Sequence, residues 1–260
     1  MAIRLVEKAM TLGVPDAYDR MGIYHQNGLL KGGSATSAYA FFQRAADMGS
    51  PSGMTFLGDR MGASYDDPDE KFLANVAIAT KILECALAQG YGPAAYALGF
   101  LHQFSKNANA NANAKAEALK VLQEGVRLGC AECANRPSVE VSGIYIDDEF
   151  GLVKYVDEDR SVRYRKIKYL IDHYRGRLRL PNLDKVLPRP PAPLPNWDGN
   201  VKTLIDAARS TTLEYPPVPN SRGVHLPGKS ADEESADPVV ESTVSSDDTI
   251  AVCRTDPRRN

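Results

Sequence analysis

The stretch that decides the fold is Ala79-Thr-Lys-Ile-Leu83-Glu-Cys-Ala86-Leu-Ala-Gln-Gly90-Tyr-Gly-Pro93-Ala94-Ala-Tyr96-Ala-Leu98-Gly99. Ala79, Leu83, Ala86 and Gly90 follow one another at four, three and four residues, which keeps them on one face of an α-helix. Small residues at three of these positions let another helix come close, and the large one fills the gap. Gly90 then fits the position past a helix end, where a left-handed backbone closes the helix without Cβ strain. Ala94 and Gly99, five apart, mark a second helix, with Pro93 in its first turn, where proline has no hydrogen bond to lose. The unit is helix, tight turn, helix.

The same offsets recur as Ala2, Val6, Ala9, Gly13, as Ala38, Phe42, Ala45, Gly49, and as Ala118, Leu122, Gly125, Gly129. After the first three glycines come Ala17 to Gly22, Gly53 to Gly58 and Ala94 to Gly99, with Pro15, Pro51 and Pro93 before or at the start. The terminal glycines stand 36, 41 and 39 residues apart (13 to 49, 49 to 90, 90 to 129). Periods of that length predict an all-α fold, an α-solenoid in which each hairpin buries its apolar face against its neighbours.

Phe42, Ala45, Ala46 and Gly49 with Leu57 and Gly58, and Ala86 and Gly90 with Ala94, Tyr96, Leu98 and Gly99, resemble Sel-one-like repeats, relatives of tetratricopeptide repeats. The resemblance covers residues 2 to about 134. Ala2, Val6 and Ala9 belong to the second helix of a unit, so the chain is expected to start on a half-unit, natively or after removal of a leader and first helix. Residues 1–10 hold no hydrophobic signal core.

Beyond Gly129 the repeat is expected to fail, because Arg136 and Pro137 intervene and no glycine stands at the usual place. Val139, Val141, Ile144, Tyr145 and Ile146 read as extended. Asp157 to Asp159 cap a helix with Val162, Ile167, Leu170 and Ile171 on its apolar side. That helix and the stretch after it carry Arg163, Arg165, Lys166, Lys168, Arg175, Arg177 and Arg179, seven basic residues against the single Asp172. They read first as partners of the flanking acidic clusters and second as contacts for phosphate or an acidic protein face. Six prolines between Pro181 and Pro195 enforce extended backbone, which Leu183, Val186, Leu187, Leu194 and Trp197 can bind to the preceding helices. The segments from Leu180 to Lys185 and from Pro190 to Gly199 resemble a C-terminal module of uncharacterised chemistry that accompanies Sel-one-like repeats in proteobacterial proteins and caps the solenoid. Val201 to Arg209 is expected to add a short helix, and Ser221 to Asn260 to be disordered. The divisions are thus repeats over 1–134, a helical and extended capping module over 135–215, and a tail over 216–260.

Two loops between repeat helices stand out. The acidic Asp66-Asp-Pro-Asp-Glu70 lacks the regular oxygen spacing and glycine of a calcium loop, and reads as a solvated turn. Asn107 to Ala114 alternates asparagine and alanine and reads as an exposed loop.

Charge is balanced, 31 Lys and Arg against 33 Asp and Glu, so neither nucleic acid nor an acidic membrane is implied as partner. No apolar run is long enough to span a bilayer. Of the four cysteines, Cys130 and Cys133 form a C-x-x-C with no second pair or histidines for zinc. Cys133 falls in register with Ala17, Gly53 and Ala94, which makes a small buried residue its first reading, a local disulfide the second and a metal ligand the last.

No catalytic constellation is found. Gly49-Ser-Pro-Ser-Gly53 places proline where a nucleophile would stand, and there is no Walker loop, dinucleotide fingerprint or H-E-x-x-H. His25 and His102 each lie three residues past Gly22 and Gly99, at like positions on a repeat surface. No metal, cofactor or catalytic residue is expected. A solenoid of this kind builds a curved docking face from the first helix of each unit, and Tyr24, His25, Gln26, Asp59, Arg60, His102 and Gln103 fall past the packed positions as its candidate contacts. Proteins that pair these repeats with the proline-rich module resemble immunity proteins of bacterial type VI secretion. That resemblance implies a periplasmic, monomeric chain that occludes a cognate lipase or phospholipase effector, often of the phospholipase D type. Without a leader the chain would be cytoplasmic. The alternatives are an adaptor of an envelope or signalling complex, and a β-lactamase-like cell-wall hydrolase.

Overall fold

The computed structural model describes residues 2–62, 75–104, 112–145 and 151–209. Within them lie ten α-helices and no strand: α1 (Ala2–Thr11), α2 (Pro15–Gln26), α3 (Ala35–Asp47), α4 (Pro51–Gly62), α5 (Val76–Ala88), α6 (Gly92–Phe104), α7 (Ala112–Arg127), α8 (Ala131–Val141), α9 (Glu158–His173) and α10 (Val201–Arg209). A single 3₁₀ turn spans Leu183–Lys185. α2 packs on α3, α4 on α5, α6 on α7 and α8 on α9, while α2, α4, α6 and α8 also touch in succession. The even-numbered helices therefore form one continuous layer, and the predicted solenoid is present.

The glycines of the repeat make that packing. A Cβ on Gly58 would stand 2.6 Å from Leu83 Cγ, and one on Gly99 would stand 2.9 Å from Leu122 Cγ. Each is thus the floor on which the large residue of the next helix rests, and Phe42, Leu83 and Leu122 are fully buried there. At the helix ends, Gly129 has φ 78°. Its N–H donates to Val126 O at 3.0 Å, and the next N–H, of Cys130, reaches Gly125 O at 2.9 Å. That pair of crossing bonds satisfies the orphan carbonyls of the helix. Start signals are equally local: Ser34 and Ser37 form a reciprocal capping box on α3, and Asn75 caps α5.

The fourth unit does not fail, as the sequence reading expected. α8 runs through Arg136 and Pro137 to Val141, so Val139 and Val141 are helical. Ser138 stands five residues after Cys133, in the place of Gly22, Gly58 and Gly99, and its hydroxyl meets Ser161 O on α9 at 3.1 Å. On α9, Arg160, Tyr164, Ile167 and Ile171 repeat the four, three and four spacing, all at most 2 % exposed. The helix then continues one further turn and closes on Arg175 at φ 50°, with Arg175 N–H on Asp172 O and Gly176 N–H on Ile171 O. Arginine there does what glycine does in the other units. Nor is residue 134 a break in packing: one apolar cluster runs from Ala95 through α7, α8 and α9 to Ala208. The expected α9 cap is Asp157, whose side chain accepts from Arg160 N–H at 2.9 Å.

After α9 the chain becomes a strap. Leu178, Leu180, Leu183 and Leu187 are buried in the same cluster, and Leu180 N–H bonds Arg127 O at 2.9 Å. A proline-dense segment cannot satisfy its own carbonyls, so side chains do it. Arg163 donates to Val186 O at 2.7 Å and Pro195 O at 2.6 Å, and its guanidinium lies 5.4 Å from the Trp197 ring centre. Arg160 donates to Ala192 O at 2.6 Å and to Pro188 O, and pairs with Asp157 at 2.8 Å. Gln123 reaches Leu187 O at 2.7 Å while accepting from the Tyr164 hydroxyl at 2.8 Å. Burial pushes that hydroxyl's pKa far up, which keeps it a donor. Of the other basic residues, only Arg165 pairs with a flanking acidic cluster, with Glu158 at 2.7 Å, while Lys168 pairs with Asp172 within the stretch at 2.6 Å.

Ala112 to Ala114, expected in a loop, open α7, and the rest of the Asn–Ala run lies outside the described residues. The acidic loop 66–70 and the tail from Ser221 also lie outside them.

Arg160→Leu should cost about 2–4 kcal/mol in urea unfolding, because it strands Asp157 and two strap carbonyls. Arg165→Leu, from an exposed pair, should cost less than about 1 kcal/mol. Arg175→Gly should stabilise the chain by about 0.5–1 kcal/mol, since glycine takes the left-handed turn without Cβ strain.

Candidate protein-binding surface

α6 sits in the middle of the even-numbered layer, with α4 and α8 beside it and α5 and α7 behind it. Its one open side carries Pro93, Tyr96, Phe100 and Phe104, the last three at successive steps of four residues. Tyr96 is 39 %, Phe100 41 % and Phe104 37 % exposed. Phe100 and Phe104 rest ring against ring, 4.3 Å between centres. In the flanking units the positions equivalent to Tyr96 and Phe100 hold Thr55 and Asp59 on α4, and Asn135 and Val139 on α8. The aromatic stripe therefore belongs to α6 and is not imposed by the repeat.

The edges of the stripe are held in place from beneath. Arg136 lies over both the Phe104 ring (5.8 Å) and the Tyr145 ring (5.1 Å). Its guanidinium pairs with Glu140 at 2.8 Å and donates to Gln103 Oε1 at 3.1 Å. Glu140 is fully buried, and accepts from Gln103 at 3.0 Å and from the Leu152 backbone N–H at 2.7 Å. A buried carboxylate with all these donors is fixed in one orientation, so Arg136 is held too. On the α4 side Arg60 covers the Phe56 ring at 5.5 Å, and Phe56 stacks on the buried Phe42 at 3.7 Å. At the N-terminal end of α6 the stripe runs into a depression of about 300 Å³ lined by Pro93, Tyr96, Glu132, Ile171, Asp172 and Arg175. The Cys130–Cys133 disulfide borders it, with Cα atoms 5.3 Å apart. Cys133 is thus both buried, as first read, and bridged, as read second.

The residues singled out from sequence fall into two groups. Asp59 and Arg60 are exposed on the layer, and Gln26 is exposed at the end of α2. The others turn inward. His25 Nδ1 meets Ser37 Oγ on α3 at 2.9 Å and its ring lies on Phe41, while Tyr24 is half-buried. Half-buried His102 lies within the field of Glu84 on α5 and of Glu117 and Lys120 on α7. Gln103 is 1 % exposed and committed to Glu140 and Arg136, so it is a structural residue and not a contact. On α6 the positions eight and nine residues past the small opener Ala94, His102 and Gln103, rotate back toward the hairpin, whereas those two, six and ten past it face out. Those outward positions are Tyr96, Phe100 and Phe104.

Among the described residues no group of three or more His, Cys, Asp or Glu side chains is placed to hold a metal ion, and no helix is long and apolar enough to cross a membrane. The class defined by this geometry is a helical-repeat protein with an aromatic face on its even-numbered layer. A family model described as a domain of unknown function (DUF6396) matches residues 145–226, which takes in α9, the strap and α10. No curated protein matches the chain.

Burial lowers the His102 pKa below 6.5, against the pull of Glu117 and Glu84. The unfolded chain then takes up the proton first as pH falls, so stability drops as pH descends through about 6.5 until the folded pKa is reached. His102→Gln should flatten the loss of unfolding free energy between pH 7 and pH 5 in paired denaturant titrations.

Proposed function

We propose that this chain is a non-catalytic binding scaffold that docks a partner protein on the layer centred on Tyr96, Phe100 and Phe104. The observation that carries the reading is those three large rings left open to solvent on one helix, in a layer whose equivalent positions are mostly polar. Contiguous exposed aromatic surface with a polar and charged rim is the composition of a protein interface. Its support by the Arg136–Glu140–Gln103 network favours binding, since a face already rigid loses little entropy on docking.

The partner we propose is the cognate lipase or phospholipase effector of a type VI secretion system, of the phospholipase D type, with this chain as its immunity protein and a monomer when free. The reading rests on the resemblance of the repeats and the proline-rich module to such proteins. Occlusion of the effector's catalytic cleft by the curved layer requires no reactive group here. The Cys130–Cys133 bridge supports an oxidising compartment such as the periplasm.

The test is co-purification with an effector encoded beside the gene, followed by protection of a sensitive cell. Tyr96→Ala with Phe100→Ala should weaken that complex about tenfold to a hundredfold and abolish protection, while the thermal midpoint of the free chain stays unchanged. A complex indifferent to both substitutions would sink the proposed face. Capture of an envelope protein through the same face, with no affinity for any neighbouring lipase, would replace immunity by the adaptor reading.

A further inference from the structure

We propose that the C-terminal half of α9 and the turn that follows it, Lys166 to Arg177, are a docking site for the chain's own acidic segment between Asp232 and Asp248. The inference does not rest on the aromatic face of α6 or on the nature of any effector.

Five of the seven basic residues read against acidic clusters have no carboxylate partner among the described residues, and of these Arg163 and Arg179 donate to backbone carbonyls. Among the described residues no carboxylate lies within ion-pair distance of Lys166, Arg175 or Arg177, whereas Arg165 and Lys168 are paired and Arg163 is buried under the strap. All three open cations are exposed. Beside them stand Tyr169, 69 % exposed, and Tyr174, 49 % exposed, with the exposed His173 ring edge-on to Tyr174 at 5.2 Å. Lys166, Tyr169 and His173 fall at steps of three and four along α9, hence on one face. The stretch from Lys166 to Arg177 is thus a basic and aromatic surface whose one acidic residue, Asp172, is paired with Lys168.

The chain supplies the complement and delivers it to the right place. Between Ser230 and Asp248 there are seven acidic residues and no lysine or arginine. The last turn of α10 is tied back beside the basic end, because Asn182 N–H bonds Ala208 O at 2.9 Å. Asn182 lies five residues after Arg177, within about 17 Å even if that stretch is fully extended. The tether from Arg209 to Asp232 spans 23 residues, for which a coil reaches about 25 Å on average. A tether that matches its span raises the effective concentration of the acidic segment to the millimolar range. Several exposed pairs of 0.2–1 kcal/mol each, roughly, are then enough to hold it at low salt.

The experiment is zero-length carbodiimide cross-linking of the full chain, read by mass spectrometry. Links from Lys166 to carboxylates between Asp232 and Asp248 should dominate over those from Lys202, which is closer along the chain. They should be independent of protein concentration, form within one chain when heavy- and light-isotope protein are mixed, and vanish near 0.5 M salt. Absence of Lys166 links, their spread over all lysines, or formation only between chains overturns the proposal. Lys166→Glu with Arg175→Glu and Arg177→Glu should speed cleavage by a glutamate-specific protease after Glu233 and Glu234 several-fold at unchanged helical content, and an unchanged rate overturns it. So does binding of the full wild-type chain to phosphatidylglycerol vesicles in the same low-salt buffer, since the basic surface would then be open.

Discussion

The hold of Arg160 and Arg163 on the strap is the interaction on which the C-terminal half depends. The chain from Leu178 to Trp197 has no helix or strand to satisfy its carbonyls, apart from the 3₁₀ turn at Leu183–Lys185. Two guanidinium groups, one turn apart on one face of α9, offer planar forks of donors that stay charged at any relevant pH. They bind Val186, Pro188, Ala192 and Pro195 through backbone oxygens, and so do not depend on the strap's side chains. A lysine would bring donors to a single point and could not span two carbonyls in this way. Arg160 stands in register with Ala38, Ala79 and Ala118, so the last unit gives up a small packing residue for a long one that reaches the strap. An open-ended stack of identical units would leave an apolar face exposed at its end. Here that face is covered by the leucines the arginines hold down.

The cap and the aromatic face share structural elements. α8 lies between them: its Ser138 and Val141 face α9 and the segment that leads into it, and its Arg136 and Glu140 face α6. The Glu140 carboxylate also takes the Leu152 N–H. That bond fixes the segment entering α9 from the same group that orients Arg136 beside Phe104. The geometry of the candidate face is therefore set partly by the last repeat, which pins α8 from behind.

The repeats were legible from the sequence as far as Gly129, because small residues and a terminal glycine mark each approach and each helix end. The fourth hairpin was not. Serine replaces glycine at 138, isoleucine replaces the small residues at 167 and 171, and arginine takes the left-handed position at 175. Each change keeps the geometry and erases the signal: Ser138 still fits a close contact, and Arg175 still accepts φ 50°. Pro137 read as a helix breaker, yet a proline removes only one backbone hydrogen bond, which the packing on both sides outweighs. Among the candidate contacts, Asp59 and Arg60 are exposed, whereas His25 and His102 are half-buried and Gln103 is buried. Polarity drew attention to them, but a polar side chain past the core positions can equally bond the facing helix, as Gln103 does. Tyr96, Phe100 and Phe104 carried the opposite signal, since aromatic residues read as core. Only their offset from Ala94 distinguishes them.

The position of the stripe within the layer bears on what it can do. α6 is flanked by even-numbered helices on both sides, so a partner that covers it also covers the polar ridges of α4 and α8. Asp59 and Arg60 lie on one ridge, Glu132 and Asn135 on the other, all but one of them charged. In protein interfaces the residues that dominate affinity are central and apolar, and their polar surroundings act chiefly by keeping water out. The aromatic helix is one of the two, with α4, that such a ring can enclose from both sides within the repeats, because α2 has no even-numbered helix before it among the described residues and α8 has the strap beyond it. Asn135 on α8, had it been the aromatic position, would have sat one helix nearer the edge. Placing the rings on α6 puts apolar surface where both ridges can shield it, and leaves the two ends of the solenoid to the cap and to α1.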